Sequence, residues 1–430
     1  MGTRRDDRRV IRLVVAGLGV LLLLGARLAL AAPAAAPVPA PQVIAVGDVE
    51  DPVVAVADGG IAVVGWSSVV GTVTHPQFRA MGSTLVAGRW TAPRVLSRSG
   101  FHTSVAIAAG DRQIAVWQQT SAPYSPMLAF GRQGRWGRAL RLAVSAGAYP
   151  AVGVAANGTG LVAWTRPRLA RPRFGPPLGV SYRFIGAAAR LSGLRSASSG
   201  EDAFDPQVAV SPTGAAVISW EVDQQAGCLV RAAYLAAPGA KPVTRTVSSV
   251  DAACPAGQRV AIDGAGNAVV TWLAQRGSTS SIQVSEVHHG RWQRQHSLSR
   301  GPDLGPPRIA ENLHGDAAIV WSAVAGSDQV IDGAFRSRGG RWQAERVPKA
   351  TGADASVGLD QHGRALIVFD DAAVVRSVSG RYSPPAMTLL RGSLRSPEVA
   401  VAPGGEVVET SDPRGRLLAL ATTLGVLSTG

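Results

Sequence analysis

The sequence predicts an all-β fold, an eight-bladed β-propeller made of four-stranded antiparallel blades. Related segments recur about every 50 residues, and in each one two apolar runs flank a turn that usually contains glycine. An aromatic residue closes the second run, at Trp66, Trp117, Trp164, Trp220, Trp272, Trp321 and Phe369. Repeats of this length indicate a repeat architecture, and four short strands per repeat are typical of a propeller blade.

Each repeat predicts its strands in order. The first copy, VVAVADGGIAVVGW at 53–66, gives two strands, and a glycine in the turn can adopt the positive φ that short hairpins need. A third strand such as 282–287 follows, and a second hairpin carries Gly-Arg-Trp, as at 290–292. Small residues fit near a propeller axis and large rings fill the widening gap between blades. All ten tryptophans are therefore predicted to lie in the core.

Eight units can be counted, at 53–97, 104–144, 151–198, 207–249, 259–299, 308–348, 356–391 and 398–430. The eighth is degraded, so seven blades is the alternative. The segment 42–47 resembles a fourth strand without a blade, and we predict that it pairs with the eighth unit and closes the ring. The segment 425–428 is the alternative for that place. Closure would remove exposed strand edges.

The N-terminus predicts export. Residues 1–32 combine five arginines at positions 4–12, an uncharged run of 14 residues at 13–26 and small residues near Ala31, which is typical of a signal peptide. The alternative is an uncleaved anchor that holds the protein at the outer face of the cytoplasmic membrane. Residues 33–41 form a Pro/Ala-rich linker, and 42–430 form the propeller domain. We therefore predict a secreted, extracellular protein.

Charge and cysteines fit this compartment. The net charge is +14, but six arginines and two aspartates belong to residues 1–31, and lysine occurs only at Lys241 and Lys349. The strong preference for arginine over lysine indicates codon usage and not a surface for nucleic acid, so no nucleic-acid partner is expected. Cys228 and Cys254 fall in loops that a propeller places on one face of adjoining blades, which predicts a disulfide. Two independent buried cysteines are the alternative.

Segments such as DGAGNAVVTW at 263–272, followed by GRW at 290–292, resemble the tandem D-x-x-G-N-A repeats of secreted bacterial β-propellers. The resemblance covers nearly all of the mature chain. It implies the fold but no particular activity, because the motif residues are turn and core residues. A more distant similarity links the chain to sialidase-type propellers with Asp-boxes, although aspartate occupies the turn in only some copies.

One face of the predicted propeller concentrates charge. An arginine-rich loop at 166–173 is positioned to grip an anionic polymer, and acidic residues cluster in neighbouring loops. The candidate ligand-binding residues are Arg166, Arg168, Arg171, Arg173, Glu201, Asp202, Asp205, Glu221 and Asp223. The alternative is that these charges are solvated, because loops are where polar residues collect.

Motifs for chemistry are missing from the sequence: it contains no HExxH, G-x-S-x-G, Walker loop, EF-hand or C-x-x-C. No catalytic residue can be assigned, and neither a cofactor nor a metal is expected. The sequence favours a secreted or cell-envelope binding or scaffold module for an extracellular glycan, cell-wall polymer or protein, with membrane contact only through an uncleaved N-terminal segment. The alternative is a glycan-active enzyme, either a sialidase-like hydrolase or a lyase, that uses acidic loop residues.

Overall fold

The structure, a computed structural model, describes residues 42–430 except for 73, 122–123, 145–146, 168–177, 199, 225–226, 250–252, 371, 388–396, 412–415 and 425–430. The predicted signal peptide and the predicted linker lie outside the described residues. Among the described residues, no helix is long and apolar enough to cross a membrane. The regular secondary structure of the described residues is β-strand, with one 3₁₀ turn at Ala109–Asp111.

The strands form eight antiparallel sheets among the described residues, in the order that the repeats predict. The N-terminal strand β1 is Gln42–Val46. Sheet 1 contains β2 to β6, which are Val49–Val56, Ala62–Thr72, His75–Val86, Arg89–Trp90 and Arg94–Ser97. Sheet 2 contains β7 to β11, which are Gly100–Ile107, Arg112–Gln119, Pro126–Arg132, Arg135–Trp136 and Leu140–Arg141. Sheet 3 contains β12 to β15, which are Ala148–Val154, Gly160–Pro167, Leu178–Ile185 and Arg195–Ser196. Sheet 4 contains β16 to β19, which are Asp202–Val210, Ala216–Gln224, Gly227–Leu235 and Val243–Thr246.

The remaining sheets continue the pattern. Sheet 5 contains β20 to β24, which are Ala253–Ile262, Ala268–Arg276, Thr279–His288, Arg291–Trp292 and His296–Gly301. Sheet 6 contains β25 to β28, which are Arg308–Glu311, Ala317–Ala325, Asp328–Arg336 and Gln343–Thr351. Sheet 7 contains β29 to β32, which are Ala355–Leu359, Ala365–Phe369, Ala372–Arg376 and Ala386–Met387. Sheet 8 contains β33 to β35, which are Glu398–Val401, Glu406–Ser411 and Arg416–Thr423.

The N-terminal strand completes sheet 8. Strand β1 pairs antiparallel with β35, with Gln42 opposite Ala419 and Val46 opposite Arg416. The predicted pairing of the segment 42–47 with the eighth unit is therefore confirmed, whereas the alternative strand at 425–428 lies outside the described residues. Sheets 8 and 1 are also in contact, because Val408 of β34 packs with Ala62 and Leu85 of sheet 1.

The outer strand of three sheets differs from the prediction. In sheets 1, 2 and 5 it is divided in two, because the residue after each tryptophan folds back onto the third strand. The N–H groups of Thr91, Gly137 and Gln293 donate to the carbonyls of Thr84, Phe130 and Glu286, at 2.7–2.8 Å. This local kink interrupts the regular ladder.

The core lies between successive sheets. We call the aromatic residues that close the second strands the wedge positions: Trp66, Trp117, Trp164, Trp220, Trp272, Trp321 and Phe369. All are at most 2% exposed. Trp272, for example, belongs to one buried cluster with Val230 of sheet 4 and with Val247, which follows β19. The four other tryptophans, Trp90, Trp136, Trp292 and Trp342, are only half-buried, so for them the predicted core position is only partly correct.

Turn chemistry explains the polar residue between the first two strands. In sheet 5, Asp263 Oδ1 accepts the backbone N–H groups of Ala265 and Asn267 at 2.9 and 2.7 Å. In sheet 7, Asp360 accepts those of His362 and Arg364 at 3.0 and 2.8 Å. These carboxylates stabilise tight turns, which is a common role of aspartate. The opposite ends of the first strands are not part of these turns, so their residues can differ from sheet to sheet.

Candidate functional site

The first strands of seven sheets meet at one pocket of about 500 Å³. Equivalent residues at the start of the repeats line it, namely Val53, Ser104, Ala151, Gln207, Arg259, Arg308 and Glu398. Four further residues stand two positions earlier in their sheets, and we call them the pocket positions: Asp51, His102, Tyr149 and Asp205. The repeat therefore brings residues more than 300 positions apart into a single site.

A repeated backbone irregularity sets the pocket positions. The strand register shifts at this point in sheets 1 to 4. The four pocket positions all have positive φ, between 47° and 50°. Such bulges redirect a side chain out of the regular alternation, and positive φ in a residue other than glycine is backbone strain that clusters at functional sites. The four side chains are therefore turned toward the pocket at an energetic cost.

His102 lies at the centre of this group. Its ring centroid is 4.7 Å from that of Tyr149 and 3.8 Å from that of Phe101. Its Nδ1 atom is 3.7 Å from Oδ2 of Asp51. The His102 ring lowers the pKa of the Asp51 carboxyl, against the opposing effect of partial burial. An imidazole, a phenol and a carboxylate thus share one wall of the pocket.

Arginines form the opposite wall. Arg308 Nη1 is 3.1 Å from Glu398 Oε1, and both side chains are about one quarter exposed. Arg259 is half-buried, and desolvation together with the nearby Arg308 lowers its pKa. A guanidinium presents several donors in a fixed plane that matches a carboxylate or sulfate group. This wall is suited to an anionic group on a ligand.

Two carboxyl groups lie near Arg259, those of Asp205 and Glu221. Burial raises the pKa of Asp205, and Arg259 opposes the shift. Burial and the neighbouring Asp205 raise the pKa of Glu221 to about 7, again with Arg259 opposing. The Asp205 carboxylate accepts a hydrogen bond from Gln207 at 3.2 Å. A fraction of Glu221 is therefore protonated near neutral pH, which limits the negative charge beside the arginine.

Of the predicted ligand-binding residues that the structure describes, Asp205 lines this pocket, and Glu221 lies close to Asp205 and Arg259 without lining it. Glu201 instead accepts the indole N–H of Trp220 at 2.9 Å and pairs with Arg231. Asp202 and Asp223 are exposed and lie opposite each other on β16 and β17, and Arg166 is half-buried on β13. Arg168, Arg171 and Arg173 lie outside the described residues.

The predicted disulfide stays a prediction. Cys228 is buried on β18. Cys254 belongs to β20, but its side chain lies outside the described residues.

His102, Arg259, Arg308 and Glu398 are the residues that sequence reasoning missed. The motif search failed because they are spread over four sheets and form no local pattern. A signal was nevertheless present: aligning the repeats on their first strands places Asp-Pro, His-Thr, Tyr-Pro and Asp-Pro at one equivalent position, in the pairs 51–52, 102–103, 149–150 and 205–206. Polar variation at one position of an otherwise apolar repeat was the informative observation.

Within the described residues, no group of three or more His, Cys, Asp or Glu side chains is arranged to hold a metal ion.

Comparison with known proteins identifies the fold. No protein-family model matches the sequence, and no curated protein sequence matches it. Two solved structures of a polysaccharide lyase of family PL25, an ulvan lyase, are similar to the chain. The structure with a bound -[GlcA(1-4)Rha3S]- oligosaccharide has a TM-score of 0.51, and the structure described without it has one of 0.52. In both, the identity is 10% and the match covers 90% of this chain and 98% of the other.

These findings correct the main functional prediction. The sequence favoured a binding or scaffold module, but the chain has the all-β, propeller-like fold of a polysaccharide lyase, with titratable side chains gathered in a concave pocket. The prediction was wrong because the residues that form the pocket are far apart in the sequence. The alternative, a glycan-active enzyme, agrees better with the fold and the site. The chain is similar in fold to an ulvan lyase, which belongs to a polysaccharide lyase family.

Proposed function

We propose that this protein is a polysaccharide lyase that cleaves glycans containing uronic acid. The observation that carries the proposal is the position of His102, beside Tyr149 on one wall of a pocket whose other wall holds Arg259 and Arg308. The reaction needs a base, an acid and a counter-charge for a carboxylate, and these four residues supply them.

The chemistry is an elimination. His102 removes the proton at C5 of the uronate, which is acidified by the adjacent carboxylate. The electron pair forms the C4–C5 double bond as the C4–O bond to the neighbouring sugar breaks. Tyr149 donates its phenolic proton to the leaving oxygen. Histidine is suited to the first step because its ordinary pKa lies near neutral pH.

The two arginines support this step. As the C5 proton leaves, negative charge spreads into the uronate carboxylate, and fixed guanidinium groups stabilise charge that develops in the transition state. Arg308 Nη1 already lies 3.1 Å from a carboxylate oxygen of Glu398. Its guanidinium group is therefore placed where it can contact a carboxylate in the pocket. Arg259 supplies a second positive charge in the same pocket.

Asp51 acts on His102 as a positioning residue. Its carboxylate faces Nδ1 of the ring, so it favours the tautomer that leaves Nε2 free to accept a proton. Its negative charge also stabilises the imidazolium that forms.

The similar fold supports the substrate class. The ulvan lyase that resembles this chain was solved with an oligosaccharide of glucuronate and rhamnose 3-sulfate. A polymer of this type carries carboxylate and sulfate groups, which agrees with the arginine wall.

We also propose the blade number, the closed ring, the export and the disulfide that the sequence predicts. We infer eight blades, one for each sheet, in a ring closed by the pairing of β1 with β35. We infer export through the signal peptide at 1–32 (an uncleaved anchor is the alternative), a Cys228–Cys254 disulfide and action on a glycan outside the cytoplasm. Mass spectrometry of the mature protein under non-reducing conditions tests the leader and the disulfide together.

The test of the activity is the ultraviolet absorbance of the unsaturated uronate product. Purified protein is incubated with glucuronate, galacturonate and mannuronate polymers, and with ulvan. His102→Ala and Tyr149→Phe each lower the rate by about 100-fold or more. Tyr124→Phe, which changes an exposed tyrosine that does not line the pocket, leaves it unchanged. A rate that survives both pocket substitutions contradicts the proposal.

One observation favours a second candidate, a glycoside hydrolase. Two carboxyl groups of the pocket have pKa values that are shifted in opposite directions, Asp51 downward and Asp205 upward. Such a pair can divide the roles of ionised nucleophile or base and protonated acid. A hydrolase releases saturated sugars, and Asp205→Asn abolishes its activity, whereas the lyase releases unsaturated ends.

A further inference from the structure

A basic groove lies between sheets 4 and 5, away from the pocket. Two adjoining cavities of about 380 and 220 Å³ share Ser249 and Gln295 and so form one depression. Four arginines line it, namely Arg245, Arg276, Arg294 and Arg300, and all are exposed. None of the described lining residues is an aspartate or a glutamate. We call this surface the basic groove.

Two arginines of another cavity, which the exposed Arg341 also lines, are neutralised by the protein. Between sheets 6 and 7, Arg336 and Arg376 also line a cavity. There Arg336 pairs with Glu286 and Glu311, and Arg376 Nε is 2.6 Å from Glu345. In the basic groove, no ion pair holds Arg245, Arg294 or Arg300 among the described residues. Exposed guanidinium groups such as those of Arg245, Arg294 and Arg300 attract an external anion.

Sheet 4 shows how an anion is bound at an equivalent place. The wedge residue Trp220 donates its indole N–H to Glu201, which also pairs with Arg231. In sheet 5 the wedge residue Trp272 lies on the wall of the basic groove, is fully buried, and has an indole N–H with no acceptor among the described residues. Gln283 takes the cross-strand position that Arg231 has in sheet 4. The wall of the groove thus offers the Trp272 indole N–H, whereas Gln283 Nε2 already donates to Ser281 Oγ at 2.9 Å, so the remaining donors for a sulfate or carboxylate are the exposed arginines.

We propose that the basic groove is a secondary binding site for an anionic polysaccharide, and that it holds the polymer on the enzyme surface outside the pocket. Serine and glutamine side chains such as Ser297 and Gln283 line the same walls and suit the hydroxyl groups of sugars. A nucleic acid is less suited, because the described part of the groove presents no exposed Trp, Tyr or Phe on which bases can stack. The choice of a polysaccharide ligand rests on the proposed function, whereas the binding site itself does not.

The test separates binding from catalysis. The triple variant Arg245→Gln, Arg294→Gln and Arg300→Gln is made in the His102→Ala background. The matched control is Arg89→Gln, Arg138→Gln and Arg190→Gln in that background, which removes the same charge from three exposed arginines elsewhere. Affinity electrophoresis compares retardation by dextran sulfate, by uncharged dextran and by double-stranded DNA.

We expect the groove variant to bind dextran sulfate about tenfold more weakly and the control to change less than twofold, with no binding to dextran. Equal losses in the two variants show that only net charge matters and overturn the proposal. Tighter binding to DNA than to dextran sulfate, lost in the groove variant, assigns the site to nucleic acid and also overturns it. The binding of dextran sulfate is measured in the His102→Ala background and needs no turnover. A negative binding result is therefore distinct from a failure to detect unsaturated product in the activity assay.

Discussion

The wedge positions and the pocket positions repeat with the same period but carry opposite kinds of residue. Six of the seven wedge positions hold tryptophan, and all seven are buried between sheets. The four pocket positions hold three different polar residue types with a strained backbone, in contact with one open cavity. In a repeat protein, identity between copies marks the packing that every sheet needs. Differences between copies at one position mark the place where the fold can carry chemistry.

The largest expected effect comes from a pocket position. His102→Ala should lower the rate of product formation by about 100- to 10,000-fold, because it removes the proposed base. The free energy of unfolding should change by less than about 1 kcal/mol, because the ring is partly exposed. Urea unfolding and the absorbance assay on one preparation check both values. A large loss of stability with unchanged activity would reverse the comparison.

A wedge position should behave in the opposite way. Trp164→Ala removes a fully buried ring that packs between sheets 2 and 3. We expect a loss of about 3–5 kcal/mol in the free energy of unfolding, since a large cavity remains. The activity of the molecules that stay folded should remain close to that of the wild type. The measurement is urea unfolding followed by tryptophan fluorescence, with activity corrected for the folded fraction.

The pH profile sharpens the comparison within the pocket. The pKa of Glu221 is raised by burial to about 7, so its ionisation above this pH adds a negative charge beside Arg259. KM for a polyuronate should therefore rise above pH 7 in the wild type, and Glu221→Gln should flatten that rise.

The same carboxyl makes a prediction for stability. Between its ordinary pKa of 4.5 and its folded value of about 7, the folded chain binds more protons than the unfolded chain. The contribution of Glu221 to the free energy of unfolding therefore falls as the pH rises through this interval. Glu221→Gln should remove that slope, and a slope that is unchanged in urea unfolding at several pH values would contradict the assignment.

The smallest effect is expected at the ion pair in the pocket wall. Glu398→Gln removes the carboxylate that Arg308 contacts at 3.1 Å, while both side chains remain partly exposed. The free energy of unfolding should change by less than about 1 kcal/mol. KM for a uronate polymer should fall by about two- to fivefold, since Arg308 is freed for the substrate. Initial rates over a range of polymer concentration measure this, and a higher KM would show that Glu398 itself binds the sugar.

The sequence predicted the fold well because its signals are local and repeated. The wedge tryptophans, the turn residues such as Asp263 and the apolar first strands each lie within one repeat. The pairing of β1 with β35 was also predictable, since 42–47 is a strand pattern without a repeat of its own. The division of the outer strand after Trp90 was not, because it depends on a backbone kink.

The candidate site was only partly predictable, since it depends on contacts between sheets. Asp205 and Glu221 were identified as loop acids, but His102 and Tyr149 stand 47 residues apart and meet only when sheets 2 and 3 pack together. The arginines were expected in the loop at 166–173, whereas Arg259 lies within β20 and Arg308 begins β25. Charge density along the chain indicated the loop, and only the three-dimensional fold identified the pocket.

The most direct test of the central claim is the mass of the oligosaccharides released from a uronate polymer, compared for the wild type and His102→Ala. Elimination yields products that are lighter by one water molecule than the products of hydrolysis. The account predicts these lighter products from the wild type and almost none from the variant. Products of full hydrolytic mass, or equal release by the variant, would contradict it.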